Sequence, residues 1–372
     1  MNKKRKITIA TGIFPPDVGG PATYAFGLKK ELERRGIRVS AVSYGEGKNA
    51  EAKIVSRKII KGLRHFVYFI KVLTAAREAE AIYALDITAT GLPAALAAMI
   101  LRKKFLIRIG GDLLWERAAE SGKFSGTMEQ FYKGGFYNSF KPFTFKVMKF
   151  VLGRAETIFV TALNMKDIYE RYYGIKNKKI KLLPNVFEIK KEKNHFKSES
   201  HRNIVFAGRF VRYKNLERIL EIFREICEKI KPARLILIGD GPERENLEKK
   251  IKELQLEGKA IMEGKKDSEG LQALLKEASL GISLAWTEYN PNFILECLAN
   301  GTPVLISKEN GLSVQLPEIF LADPFSKEEI KEKMIKILEN QKEAEREASD
   351  FSFRYSFLDS ANDFLKNFEC FD

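Results

Sequence analysis

Cysteine, histidine and tryptophan are scarce in this chain: three, three and two among 372 residues. The cysteines, Cys227, Cys297 and Cys370, are scattered, odd in number and without metal-ligand spacing. A disulfide framework is therefore excluded, and the usage fits a reducing cytosol. No Asp-x-Asp pair occurs in the sequence. No apolar stretch reaches the roughly 20 residues that span a bilayer. The basic N-terminus, Met1 to Lys6, leads into a short run, Ile7 to Thr11, that soon meets Phe14-Pro15-Pro16-Asp17. That pattern reads as a first strand and loop, not a signal peptide. Internal repeats and low-complexity blocks are absent as well.

What is present is a globular composition, 45% hydrophobic. The length suits two or three domains. The charge is uneven: residues 1–190 hold 35 Lys and Arg against 16 Asp and Glu, and residues 191–372 hold 29 against 33. The whole excess of +15 therefore belongs to the first half. Such a field attracts anionic surfaces or ligands, unless it only reflects a lysine-rich proteome. Short β-rich runs alternate with helical patterns: Ile7–Ala10, Val39–Ser43, Ala81–Leu85, Phe105–Ile109, Thr157–Val160, Ile204–Ala207, Arg234–Ile238, Gly281–Leu284 and Val304–Ile306. This rhythm predicts an α/β protein with parallel sheets covered by helices on both faces. The Lys/Glu/Ser-rich segment Glu188–Asn203 lacks apolar periodicity and marks a boundary. The expected divisions are 1–190, 191–350 and an amphipathic, aromatic tail, 351–372.

Thr287 to Leu305 is the most informative stretch. Glu288 and Glu296 stand eight residues apart, with Pro291-Asn292 between them and Asn300-Gly301 closing the run. Pro fits the first turn of a helix. Phe293, Ile294, Cys297 and Leu298 then supply an apolar face, and Gly301 suits the C-terminal cap. Carboxylates beside the free N–H groups of a helix start suit a polyhydroxylated ligand; two solvated glutamates on a surface helix are the bland alternative. Arg209 follows the strand Ile204–Ala207, and Lys214 comes five residues later. Paired hydrogen bonds from Arg and a compact charge from Lys make a natural diphosphate clamp, though two surface cations on a loop would look the same. Asn215 is placed to cap the helix carrying Leu216, Ile219, Leu220 and Phe223. Two glycine-bearing strand-to-helix turns complete the set: Gly19-Gly20 before Pro21, and Gly239-Asp240-Gly241-Pro242. Backbone N–H groups converge at such turns, but each alone is weak evidence.

Together these strings resemble the signatures of glycosyltransferase family 4, retaining enzymes of the GT-B fold. Glu288 to Val304 is similar to the family's E-x-x-P-N-x-x-x-E-A-x-x-x-G-x-P-V, with Cys297 in place of the usual Ala. Arg209 and Lys214 fit G-R-x-x-x-x-K, and Gly239 to Pro242 fits G-x-G-P. The resemblance implies two Rossmann-like domains facing across a cleft, with the final helix crossing back to the first. It implies that Arg209 and Lys214 hold the diphosphate of a nucleotide-sugar donor, and that Gly19-Gly20 faces that diphosphate and the acceptor. Gly239, Gly241, Gly264 and Lys265 would line the nucleotide pocket. Glu296 would take the ribose, and Glu288 with Asn290, Pro291 and Asn292 the transferred sugar. It implies no cofactor and no metal.

One departure is clear. Many members carry a histidine after the strand matching Phe105–Ile109, whereas this chain reads Gly110-Gly111-Asp112 and its histidines are His65, His195 and His201. Asp112 and Glu116 are the nearby candidates for acceptor binding or proton handling; a helix cap is the alternative for Asp112. Lys123 to Phe150 interleaves aromatics with Lys133, Lys141, Lys146 and Lys149. Most of these aromatics read as core. Docking on an anionic membrane surface, with Arg57–Lys71 contributing, is the second reading. The expected function is retaining transfer of a sugar to a glycan, lipid-linked or other hydroxyl acceptor, in cell-surface polysaccharide or glycolipid synthesis; the expected location is the cytoplasm, with peripheral association at the inner face of the plasma membrane as the second reading. Alternatives are an epimerase or hydrolase of the same fold, or a basic nucleic-acid-binding protein, for which no motif speaks.

Overall fold

The computed structural model describes residues 5–17, 19–47, 49–187, 202–230, 233–312, 314–351 and 353–369. Positions 188–201 of the boundary segment, with His195 and His201, lie outside the described residues, as does Cys370. The chain forms two compact units. Unit 1 comprises Met1–Leu114, Tyr132–Val186 and Tyr355–Asp372; unit 2 comprises Trp115–Phe131 and Phe187–Arg354.

Unit 1 holds seven strands: β1 (Lys6–Thr11), β2 (Arg38–Gly45), β3 (Lys53–Ser56), β4 (Ala81–Ala84), β5 (Lys104–Ile109), β6 (Thr157–Val160) and β7 (Ile180–Leu182). They pair in the order β3-β2-β1-β4-β5-β6-β7, every pair parallel. Unit 2 holds β8 (Arg202–Arg209), β9 (Ala233–Asp240), β10 (Ala260–Glu263), β11 (Ala278–Ser283), β12 (Val304–Ser307) and β13 (Leu321–Ala322). Their order is β10-β9-β8-β11-β12-β13, again all parallel. In each sheet the first strand lies third from one edge, and the chain winds outward from it both ways. The reversal falls between β1 and β4 in unit 1, and between β8 and β11 in unit 2. Ligands of such sheets bind beyond the carboxyl ends of the strands flanking the reversal.

The nine runs read as strands from sequence are the nine inner strands. An inner parallel strand is buried on both faces and so reads as a continuous apolar run. The four strands absent from that reading, β3, β7, β10 and β13, are the four sheet edges. They are short and partly polar, as edges tend to be.

The last helix, Phe357–Glu369, belongs to unit 1. It packs on the first helix, Gly20–Arg34, where Gly27 leaves room for the Phe357 ring; a Cβ there would stand 2.1 Å from it. Phe364 is fully buried, 4.8 Å from Tyr83 and 5.9 Å from Phe159 between ring centres. The Arg5 guanidinium covers Phe368 at 4.6 Å. Phe364→Ala should therefore destabilise the protein by about 3–5 kcal/mol, the range for truncating a buried aromatic. Urea denaturation followed by circular dichroism measures this, and a loss under 1 kcal/mol would contradict the packing.

Candidate active site

The most concentrated polar chemistry in unit 2 lies where β8 and β11 end. Ser283 is the last residue of β11, and its hydroxyl donates to Glu288 Oε1 at 2.6 Å. Lys214 Nζ lies 2.7 Å from Oε1 and 2.8 Å from Oε2 of the same carboxylate. Lys214 is half-buried and Glu288 buried, so the pair is shielded from water. Backbone bonds fix the loop that carries Glu288: Trp286 N–H donates to Tyr213 O, and Glu288 N–H to Glu309 O. The buried Thr287 hydroxyl donates to Glu309 and accepts from the Met128 N–H, which ties the segment Trp115–Phe131 to this loop. Burial pushes the Glu309 carboxyl above its usual range.

Arg209 ends β8 and is 63% exposed at its side chain; Glu120 lies 3.5 Å away. Its guanidinium is thus open to a ligand, whereas Lys214 is committed to Glu288. Between them the chain makes a 3-10 turn, Arg212–Lys214, and Asn215 takes a left-handed conformation at φ 62°. Asn215 precedes the helix Leu216–Ile226 as expected, but its side chain does not cap it. The amide donates instead to Pro324 O at 2.8 Å, because the left-handed backbone turns it away from the first helical N–H groups.

The second carboxylate is different. The helix begins after Pro291, spans Asn292–Ala299, and ends before Gly301 at φ 63°. Glu296 is half-buried on it, and burial alone pushes its carboxyl up to about 7. Asn290 is fully buried at φ 60°, and its N–H donates to Asn310 O. Asn292 is exposed. On the inner face of this helix, Cys297 lies against Gly281 of β11; a Cβ on Gly281 would stand 2.4 Å from the Cys297 sulfur.

The glycines divide by cause. Gly239 has φ 141°, and a Cβ there would lie 1.9 Å from Gly208 O; at Gly241 it would lie 2.3 Å from Phe210 O. Close backbone packing within the unit is thus enough to require both. Gly264 and Lys265 are exposed just beyond β10, an edge strand. In unit 1, Gly19 caps the helix Gly20–Arg34, its carbonyl accepting from Ala22 and Thr23, and a side chain at Gly20 would meet open space. Asp112 follows β5 and is fully buried, accepting from the Tyr132 hydroxyl at 2.7 Å; Tyr132 lies 2.9 Å from the Tyr173 hydroxyl. Burial, then the Asp112 charge, raises both phenols. Asp112 is thus committed to a tyrosine network, while Glu116 is half-buried in unit 2. Ser283, Thr287 and Glu309 were not foreseen. Ser283 alone had a signal, a hydroxyl closing an apolar strand.

Two outcomes follow. Lys214→Ala strands the Glu288 carboxylate and should cost about 3–5 kcal/mol, as breaking buried pairs does. Adding Glu288→Gln should restore most of it; urea titration of the single and double variants measures both. For Glu296, a folded-state value near 7 against an ordinary 4.5 means that its stabilising proton is lost as pH rises between them. Glu296→Gln should match the unaltered protein in stability at pH 4 and exceed it at pH 8. Equal stability at both pH values would refute the burial argument.

Comparison with known proteins bears on this arrangement. Residues 18–191 match the model described as Glycosyltransferase Family 4, and residues 187–349 match Glycosyl transferases group 1. An uncharacterized glycosyltransferase of Methanocaldococcus jannaschii is 26% identical over 52% of this chain and 49% of its own length. The N-acetyl-alpha-D-glucosaminyl L-malate synthase of Bacillus anthracis is 26% identical over 40% of this chain and 37% of its own. The chain thus spans about half or less of these curated relatives. Anabaena HepE, solved in complex with UDP-glucose, superposes with a TM-score of 0.76 at 16% identity, covering 98% of this chain and 99% of that one. The strand orders and these matches agree on the GT-B fold, and the chain belongs to glycosyltransferase family 4 of the group 1 glycosyl transferases.

Proposed function

We propose that the chain is a glycosyltransferase that takes a sugar from a nucleoside-diphosphate donor and places it, with retention, on a hydroxyl of a glycan or lipid-linked acceptor. The observation that carries this is the Lys214–Glu288–Ser283 cluster at the end of β11, beside Arg209 at the end of β8. Lys214 has three N–H donors, and Glu288 takes two. The third remains for a phosphate oxygen. Glu288 offers about four acceptor positions, and Lys214 and Ser283 fill three of them. The fourth suits one hydroxyl of the donor sugar. A carboxylate already fixed by two donors holds that hydroxyl without reorganising, which orients the anomeric carbon.

When the sugar–phosphate bond breaks, negative charge grows on the diphosphate. In this reading Arg209 and Lys214 stabilise it in place of a metal ion. Glu296, lightly held as a carboxylate, accepts from the ribose hydroxyls, whose donation favours the ionised form. Asn290, Pro291 and Asn292 complete the sugar site. Gly264 and Lys265 stand toward the base, and the Gly239–Gly241 turn borders the pocket. In unit 1, Gly19-Gly20 is assigned to phosphate and acceptor binding, and Asp112, closed under Tyr132, holds its own loop. UDP-glucose, the ligand of the HepE complex, is the first donor to test.

A thermal-shift panel of UDP-, GDP- and ADP-sugars tests the reading. One donor at a hundred times its Kd should stabilise the protein by about 2.7 kcal/mol. Arg209→Ala and Glu296→Ala should each abolish that shift while keeping the fold. No shift with any donor, or normal binding by both variants, would overturn the assignment. Donor turnover without acceptor would favour the epimerase or hydrolase instead.

A further inference from the structure

Among the described residues, all eleven exposed large apolar side chains lie in unit 1. Nine of them sit on three neighbouring helices or their caps: Lys61–Ala75, Gly91–Leu101 and Pro142–Arg154. The second of these packs against both of the others. The exposed residues follow helical spacing. Ile60, Leu63, Phe66 and Ile70 form a stripe opposite the buried face of Tyr68, Val72 and Ala75. Leu96, Met99 and Ile100 form the outer face of the second helix, and Phe143 and Phe150, a heptad apart, that of the third. Phe143 is 78% exposed, Ile100 63% and Phe66 59%. A helix that covers a sheet needs one apolar face; these three have a second, turned to solvent. Contiguous apolar surface of this kind marks a contact with something else.

The charge names the partner. The three helices contain no Asp or Glu at all. They carry Lys61, Arg64, Lys71, Lys146, Lys149 and Arg154, and Arg102 and Lys103 follow directly. Lys146 falls between Phe143 and Phe150 on the same face. A second copy of the chain would set cation against cation. Nucleic acid would meet protruding phenylalanines where phosphate contacts are needed. An anionic bilayer satisfies both features at once, with apolar tips in the acyl boundary and lysine heads at the phosphates. No helix of the described residues is long and apolar enough to cross a membrane, so the contact is at the surface.

We infer that unit 1 docks on an anionic lipid surface through the outer faces of these three helices. The helix Lys61–Ala75 starts beside the carboxyl-end rim of its sheet. There Arg57 pairs with Asp17 of the loop before Gly19-Gly20, and Arg64 donates to the Arg57 carbonyl. Docking therefore brings that glycine loop to the lipid headgroups, where a membrane-borne hydroxyl would arrive. The inference does not depend on glycosyl transfer.

Flotation of the full chain on a density gradient tests it. Vesicles of equal parts phosphatidylcholine and phosphatidylglycerol should carry the protein up, and pure phosphatidylcholine should not. Phe66→Glu with Phe143→Glu should reduce the bound fraction about tenfold or more, with an unchanged circular dichroism spectrum because both sites are exposed. Lys61→Gln and Lys146→Gln should each weaken binding about fivefold. Absence of flotation on the anionic vesicles would overturn the inference. So would equal flotation on both compositions, or flotation of the phenylalanine variant at the unaltered level. A concentration-dependent dimer abolished by the same phenylalanine substitutions would assign the face to a second copy instead.

Discussion

Parallel strand pairing sets the terms for this molecule. A parallel sheet must be covered on both faces, so most connections are helices that return across it; the edge strands β3 and β13 are reached by loops instead. The strands then all point one way, and their loops gather at one rim. Inside each sheet the winding reverses, and two loops part in opposite directions. In unit 2 those loops follow β8, which ends in Arg209, and β11, and they carry Lys214 and Glu288.

What occupies that rim is a set of charges arranged to be partly self-neutralising. Lys214 and Glu288 balance each other behind Ser283, so neither stands as a lone charge in a shielded place. Arg209 stays largely in solvent, with Glu120 3.5 Å away, where a cation costs little. Glu296 avoids the cost another way, by keeping its proton until near neutrality. Unit 1 has another balance: its buried carboxylate, Asp112, is tied to tyrosines, while its unusual feature is apolar surface left outside.

The sequence was legible where a residue's environment left a local mark. Inner strands are apolar on both faces, so all nine could be found; the edges, such as Lys53-Ile54-Val55-Ser56, have no such mark. The helix start at Pro291 and its close at Gly301 followed from backbone restrictions that any sequence obeys. Asn215 shows the limit: it lies where a cap belongs, but a carbonyl more than a hundred residues away takes its amide. Ser283 and Thr287 gained roles only through neighbours distant in sequence or across a loop. Gly239 and Gly241 fit a nucleotide motif, and their backbone contacts with Gly208 and Phe210 supply an independent reason for both. Among the aromatics of Lys123–Phe150, Phe131, Tyr132 and Phe140 are core, but Phe143 and Phe150 face outward. Composition could not sort them, because burial on one side of a helix depends on what it packs against.

The close approach of Gly281 to Cys297 bears on how this chain came to differ from its family's usual alanine. The sulfur fills the volume that a side chain on β11 would need. The two positions are therefore epistatic. A side chain placed at 281 requires a smaller residue at 297. The cysteine that departs from the signature sits in volume that a glycine on the neighbouring strand leaves open.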